Sequence, residues 1–118
     1  MPKRKSALKY EYNLAKYIEK HGFFVTRIPG SGARNTEYKP DIIAINNRKV
    51  IIIEVKDTDN ELYIDRRQAE GLMKIKEMTN ATVLICKKRE CATPEELQET
   101  KKGNYKFIGG KNIDVFLE

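Results

Sequence analysis

The sequence has no tryptophan, one histidine, two cysteines and four prolines in 118 residues, and no unbroken apolar run longer than that of Val50 to Ile53. Each scarcity removes a class of protein. A membrane helix needs ~20 consecutive apolar residues, and Met1-Pro2-Lys3-Arg4-Lys5 leads into no apolar signal core, so no membrane association and a cytoplasmic location are expected. Catalytic triads built on a histidine base have only His21, which stands just before Gly22 where a helix is expected to end. Zinc wants about four N/S ligands at paired spacings, and His21, Cys86 and Cys91 are too few and too scattered. Cys86 falls in an apolar strand run and Cys91 in the loop after it, and both are expected to stay reduced. A chain of this length buries roughly two-thirds of its unfolded surface, so residues 1–118 are expected to form one domain around one core.

Charge is plentiful and unevenly placed. The net charge is +6, and all of it lies in residues 1–39, where nine Lys/Arg face Glu11, Glu19 and Glu37. A basic excess confined to one third of a small domain suggests a face that meets a polyanion, with nucleic acid the commonest one. A solvated basic helix with a disordered arm is the plainer alternative.

Apolar residues at helical spacing over 6–21 predict a helix, followed by a strand from Phe23 to Ile28 and a loop from Pro29 to Lys39. Ile42–Ile45 and Val50–Val55 are β-branched runs separated by hairpin punctuation, Asn46-Asn47-Arg48-Lys49. Asp65 with Gln68 three residues on reads as a helix start, opening a helix to about Met78. Thr82–Lys87 is another strand, and short extended segments around Tyr105–Ile108 and Ile113–Leu117 finish the chain. The order α-β-β-β-α-β predicts an α/β fold on a mixed sheet.

The hairpin carries the chemistry. A turn centred between Asn47 and Arg48 pairs residues whose numbers sum to 95, which sets Asp41 opposite Glu54. Opposed residues share a face with Cβ atoms ~5 Å apart, and Lys56, two residues after Glu54, shares it too. Two carboxylates so close need a cation between them. A hard ion such as Mg²⁺, with Mn²⁺ as its substitute, takes carboxylate oxygens while keeping waters and phosphate oxygens, and it activates water against a phosphodiester. Lys56 is then free to orient that water or stabilise charge on phosphorus. A strand-end salt bridge of Asp41 and Glu54 with Lys56 is the structural alternative.

Two helical residues are out of place. Glu11 sits amid the stripe of Ala7, Leu8, Leu14, Ala15 and Ile18, so it is expected to point inward to a metal-bound water, Lys56 or another cation, with Arg27 or Lys39 as structural partners instead. Gln68 lies toward the apolar side of its helix, beside Ile64, Leu72 and Ile75, as a site residue or a helix-start cap. The loop from Pro29 to Lys39 sets Ser31, Arg34 and Lys39 beside Gly30 and Gly32, which suits a segment closing over a phosphate backbone or a plain connector.

Taken together, Tyr10-Glu11, Glu19-Lys20-His21-Gly22-Phe23, Arg27 with Pro29-Gly30-Ser31-Gly32, Pro40-Asp41-Ile42-Ile43-Ala44, Glu54-Val55-Lys56, Leu62-Tyr63-Ile64, Arg67-Gln68-Ala69-Glu70-Gly71 and Gly103-Asn104-Tyr105 resemble the archaeal Holliday junction resolvases of the Hjc/Hje type, within the PD-(D/E)xK nuclease superfamily, including the short versions of archaeal rod-shaped viruses. The resemblance implies a restriction-endonuclease-like core, a mixed central β-sheet flanked by helices, in a homodimeric Mg²⁺-dependent endonuclease. Such an enzyme selects four-way DNA junctions by shape and cuts opposing strands in pairs. By position Asp41, Glu54 and Glu11 would hold metal, Lys56 would assist the attacking water, and Ser31 would act in cleavage or DNA contact. Arg27 and Gln68 would support the site, and Lys3, Arg4, Lys5, Lys9, Lys16, Arg27, Ser31, Arg34 and Lys39 would meet DNA. No small-molecule cofactor is implied. If viral, the protein would work in the host cytoplasm. The rival readings are a restriction- or repair-type nuclease on linear or flap DNA, and a junction-binding protein without chemistry.

Overall fold

A computed structural model describes residues 5–29 and 39–118, with the side chains of the first helix described from Leu8 onward. Helix α1 (Lys5–Glu19) buries Leu14, Ala15 and Ile18 as its spacing demands. Gly22, at φ +88°, turns the chain out of it in the left-handed region that favours glycine. His21 belongs to this helix end, its Nδ1 lying 3.0 Å from the Tyr17 carbonyl.

Six strands form the main sheet in the order β1-β2-β3-β5-β6-β9: β1 (Phe24–Arg27), β2 (Ile42–Ile45), β3 (Val50–Lys56), β5 (Thr82–Lys87), β6 (Glu90–Ala92) and β9 (Lys111–Asn112). Among the described strands only the β3/β5 pair is parallel, and a parallel pair needs a long crossover. β4 (Tyr63–Ile64) and helix α2 (Arg66–Thr79) supply it. β4 joins β8 (Tyr105–Lys106) and β7 (Gln98–Glu99) in a second, three-stranded sheet, entered through a 3₁₀ turn at Pro94–Glu96.

Alternation along β3 divides the core between the two faces. Ile51, Ile53 and Val55 pack with Leu14, Ile18, Ile42 and Leu84 under α1, whereas Ile52 packs with Leu72, Val83 and Ile85 under α2. Coverage on both sides explains why β3 reads as a continuous apolar run until Glu54.

Two expectations are corrected. Ile113–Leu117 is not extended: Asp114–Leu117 forms the short helix α3, because Ile113 and Leu117 are the buried pair, four apart as on a helix, while Val115 is exposed. Cys86 and Cys91 are not reduced thiols, nor is Cys91 in a loop. They face each other across β5 and β6 with Cα atoms 4.0 Å apart and are joined as a disulfide. The tight hairpin was hidden because its turn, Lys88-Arg89, contains neither glycine nor asparagine; Lys88 itself adopts φ +57°. Closing so small a loop is expected to contribute about 2 kcal/mol. Urea unfolding with and without a dithiol reductant measures this, and identical midpoints would contradict it.

Candidate active site

The β2/β3 register pairs Ile42 with Ile53 and Ile45 with Val50, the sum of 95 expected from the turn. Asn46 closes that turn, its Oδ1 accepting the N–H groups of Arg48 and Lys49. One step beyond the ladder, the Asp41 N–H donates to the Ile53 carbonyl at 3.0 Å, and the Asp41 carbonyl accepts from the Ile28 N–H at 2.8 Å. Asp41 is thereby fixed where three strands end. Its Oδ2 accepts the Val55 N–H at 2.8 Å, which brings this carboxylate between the levels of Glu54 and Lys56.

Both acids are buried, Asp41 at 8% and Glu54 at 5% exposure. Lys56 Nζ lies 3.2 Å from Glu54 Oε2 and donates to Gln68 Oε1 at 3.3 Å. Gln68 does not close a capping box. Asp65 caps α2 by accepting the Gln68 N–H at 2.7 Å, and the Gln68 side chain reaches across to Lys56 on β3 instead. The donor set at this strand end is two buried carboxylates beside one ammonium, and oxygen donors of this kind suit a hard divalent ion.

Glu11 points inward as its place in the stripe requires, at 4% exposure, and its partner is Arg27, whose Nε donates to Glu11 Oε2 at 2.9 Å. A second Arg27 nitrogen donates to the Leu8 carbonyl at 3.3 Å, so β1 and α1 are clamped together. Arg27 pairs with Ile42, next to Asp41, which sets the Glu11–Arg27 pair beside the same end of the sheet. Among the described residues, no group of three His, Cys, Asp or Glu side chains gathers closely enough to cage an ion. A hard ion held by the Asp41 and Glu54 carboxylates alone would keep coordination positions for water and phosphate.

Of the expected DNA-contacting cations, Lys9 and Lys39 are exposed, and Lys16 pairs with Glu19 at 3.3 Å. Lys3, Arg4, Ser31 and Arg34 lie outside the described residues, as does the side chain of Lys5. A cationic feature absent from the sequence-based expectations lies on β5: Lys87 stands in register with Lys56, so both side chains leave the same face of the sheet. Lys88 and Arg89 follow it in the hairpin turn. Balanced net charge beyond residue 39 masked this local run, although three consecutive cations ending a strand are visible in the sequence.

A family model described as archaeal Holliday junction resolvase (Hjc) matches residues 1–115. The chain is 32% identical over 101 residues to the crossover junction endodeoxyribonuclease Hjc of Sulfolobus acidocaldarius, covering 80% of this chain and 71% of that protein. It is 40% identical over 78 residues to the crossover junction endodeoxyribonuclease of Sulfolobus islandicus rod-shaped virus 1, covering 65% and 64%. The crystal structure of Archaeoglobus fulgidus Hjc, a Holliday junction resolvase, superimposes with a TM-score of 0.82 at 25% identity, covering 94% of this chain and 99% of that one. Sheet and helices thus agree with a match that runs nearly the whole length: the chain belongs to the archaeal Holliday junction resolvase (Hjc) family.

Proposed function

We propose that this protein is a structure-selective endodeoxyribonuclease that resolves four-way DNA junctions by paired, metal-dependent hydrolysis in opposing strands. The observation that carries the reading is the strand-end group of Asp41, Glu54 and Lys56, two buried acids beside an ammonium within a chain of this family. The family's nucleases generally depend on a divalent metal. Asp41 and Glu54 would hold Mg²⁺, or Mn²⁺ in its place, with Glu11 acting beside them; when bound, the ion neutralises charge and lowers the pKa of water. The Val55 N–H fixes the Asp41 carboxylate in one orientation. Gln68 and Glu54 aim Lys56 Nζ, which orients the attacking water and stabilises charge developing on the phosphate oxygens. Arg27 holds Glu11 inward through its hydrogen bond. Ser31, Arg34 and the cations of the N-terminal segment contact phosphates, which position a duplex without reading its sequence. The DNA substrate sets the place of action in the cytoplasm.

Paired cuts need two sites at a fixed separation, and one chain carries one. The protein acts as a homodimer, and a second copy suits the exposed row Phe24, Ile45 and Val50, which lie in register across β1, β2 and β3 at 70%, 41% and 37% exposure. Phe24→Asp is expected to yield a monomer by sedimentation that nicks junctions singly; a dimer retained with full paired cutting would rule this surface out.

The test of function is incubation with Mg²⁺ of a four-way junction and of a linear duplex with matching arms. Cleavage of the junction alone, abolished by EDTA, is expected. Equal cleavage of both would favour a restriction- or repair-type nuclease, and tight junction binding without nicking in Mg²⁺ or Mn²⁺ would favour a non-catalytic binder.

A further inference from the structure

An open hollow of about 510 Å³ lies beyond the end of β3, lined by Thr58, Asp59, Lys87, Lys88, Arg89, Glu90, Gly110 and Asn112. It adjoins the active site through the main chain, since the Lys88 N–H donates to the carbonyl of Lys56 at 3.2 Å. Lys87 stands beside Lys56 in register on the neighbouring strand, and Lys88 and Arg89 follow it in the turn. Arg89 is braced on the Tyr17 ring at 3.7 Å. Of the two acids at the hollow, Glu90 is turned to the Gly110 N–H, which it accepts at 2.9 Å. Asp59, with a side chain 84% exposed, instead meets Lys88 Nζ at 2.6 Å.

The backbone adds a second observation. Lys88 occupies a hairpin-turn position at φ +57°, where glycine or asparagine is the favoured residue. A lysine kept in left-handed conformation sacrifices turn stability, and the Asp59 contact is too exposed to offset that. Strain of this kind at the rim of a site points to a side-chain function.

We propose that this hollow is an accessory phosphate-binding subsite for the DNA strand leaving the active site, and that Asp59 occupies Lys88 as a displaceable phosphate mimic until the substrate arrives. The ligand class is a phosphodiester group: Lys88 and Arg89 present cations from the hairpin turn, and Thr58 adds a hydroxyl. Asp59 carries one carboxylate on the loop between β3 and β4, so its contact with Lys88 competes with a phosphate for one ammonium. The lysine holds the Asp59 carboxyl below the usual carboxylate range, chiefly through their hydrogen bond, so the mimic is charged at neutral pH. An arriving backbone must displace it, which lowers the affinity for any DNA by the cost of breaking that one contact.

This inference rests on the DNA-cleaving reading and is tested separately from it. Affinity for a four-way junction is measured in EDTA over a series of salt concentrations, alongside urea unfolding. Lys88→Gly is expected to keep or raise stability while weakening binding about fivefold and lowering the salt slope by about 0.9, the signature of one lost phosphate contact. Asp59→Asn is expected to tighten binding about 2- to 5-fold, the range of one exposed ion pair. Parental affinity and slope in both variants would overturn the subsite while leaving the function standing. Failure of the parent to bind junctions would overturn both.

Discussion

Asp41→Asn, Glu54→Gln and Lys56→Ala are each expected to lower junction cleavage on the order of 10³-fold, about 4 kcal/mol of transition-state stabilisation, while junction affinity stays within about threefold of the parent. The asymmetry follows from geometry. Asparagine at 41 still offers an oxygen to the Val55 N–H, so the strand ends stay joined, but it no longer presents a full negative charge. Glutamine at 54 likewise keeps an acceptor for Lys56 Nζ and loses the charge. Binding spread over many phosphate contacts would lose little when one buried acid is removed. Single-turnover cleavage in Mg²⁺ beside fluorescence anisotropy in EDTA measures both halves. Parental cleavage by Lys56→Ala would remove that residue from the mechanism.

Ile53→Ala is expected to destabilise the fold by about 3 to 4 kcal/mol, within the range for removing a fully buried aliphatic side chain. Ile53 has no exposed surface; it pairs with Ile42 on one side and Leu84 on the other, and α1 closes over that face. The neighbouring strands are locked by their ladders and cannot collapse into the cavity. The substitution also reaches the site, because the Ile53 carbonyl accepts the Asp41 N–H and Glu54 is the next residue. Urea unfolding measures the stability, and cleavage well below the transition reports whether Asp41 has moved. A loss under about 1 kcal/mol would mean that this pair of strands is not the central support.

The geometry of the candidate site was legible in the sequence because it depends on quantities that residue numbers fix. A four-residue turn and a period of two determine which residues oppose one another, so Asp41, Glu54 and Lys56 follow from counting. Glu11 declared itself by breaking an apolar stripe, and Arg27, one of the partners open to it, donates to its carboxylate. Short elements were less legible: β6, β7 and β9 have two or three residues each, too few to show a period. The β5–β6 hairpin was concealed by Lys88, whose left-handed backbone no local residue preference announces, and the disulfide was concealed with it. In α3 an alternating pattern imitated a strand, and only the burial of Ile113 with Leu117 separates the two periods.

Diffraction from crystals soaked in Mn²⁺, recorded for the parent and for Asp41→Asn, tests the central claim most directly. An anomalous peak within bonding distance of the Asp41 and Glu54 carboxylates of the parent, absent from the variant, is the expected result. A parent crystal with no manganese at those two carboxylates, or with manganese bound only elsewhere, would contradict the account.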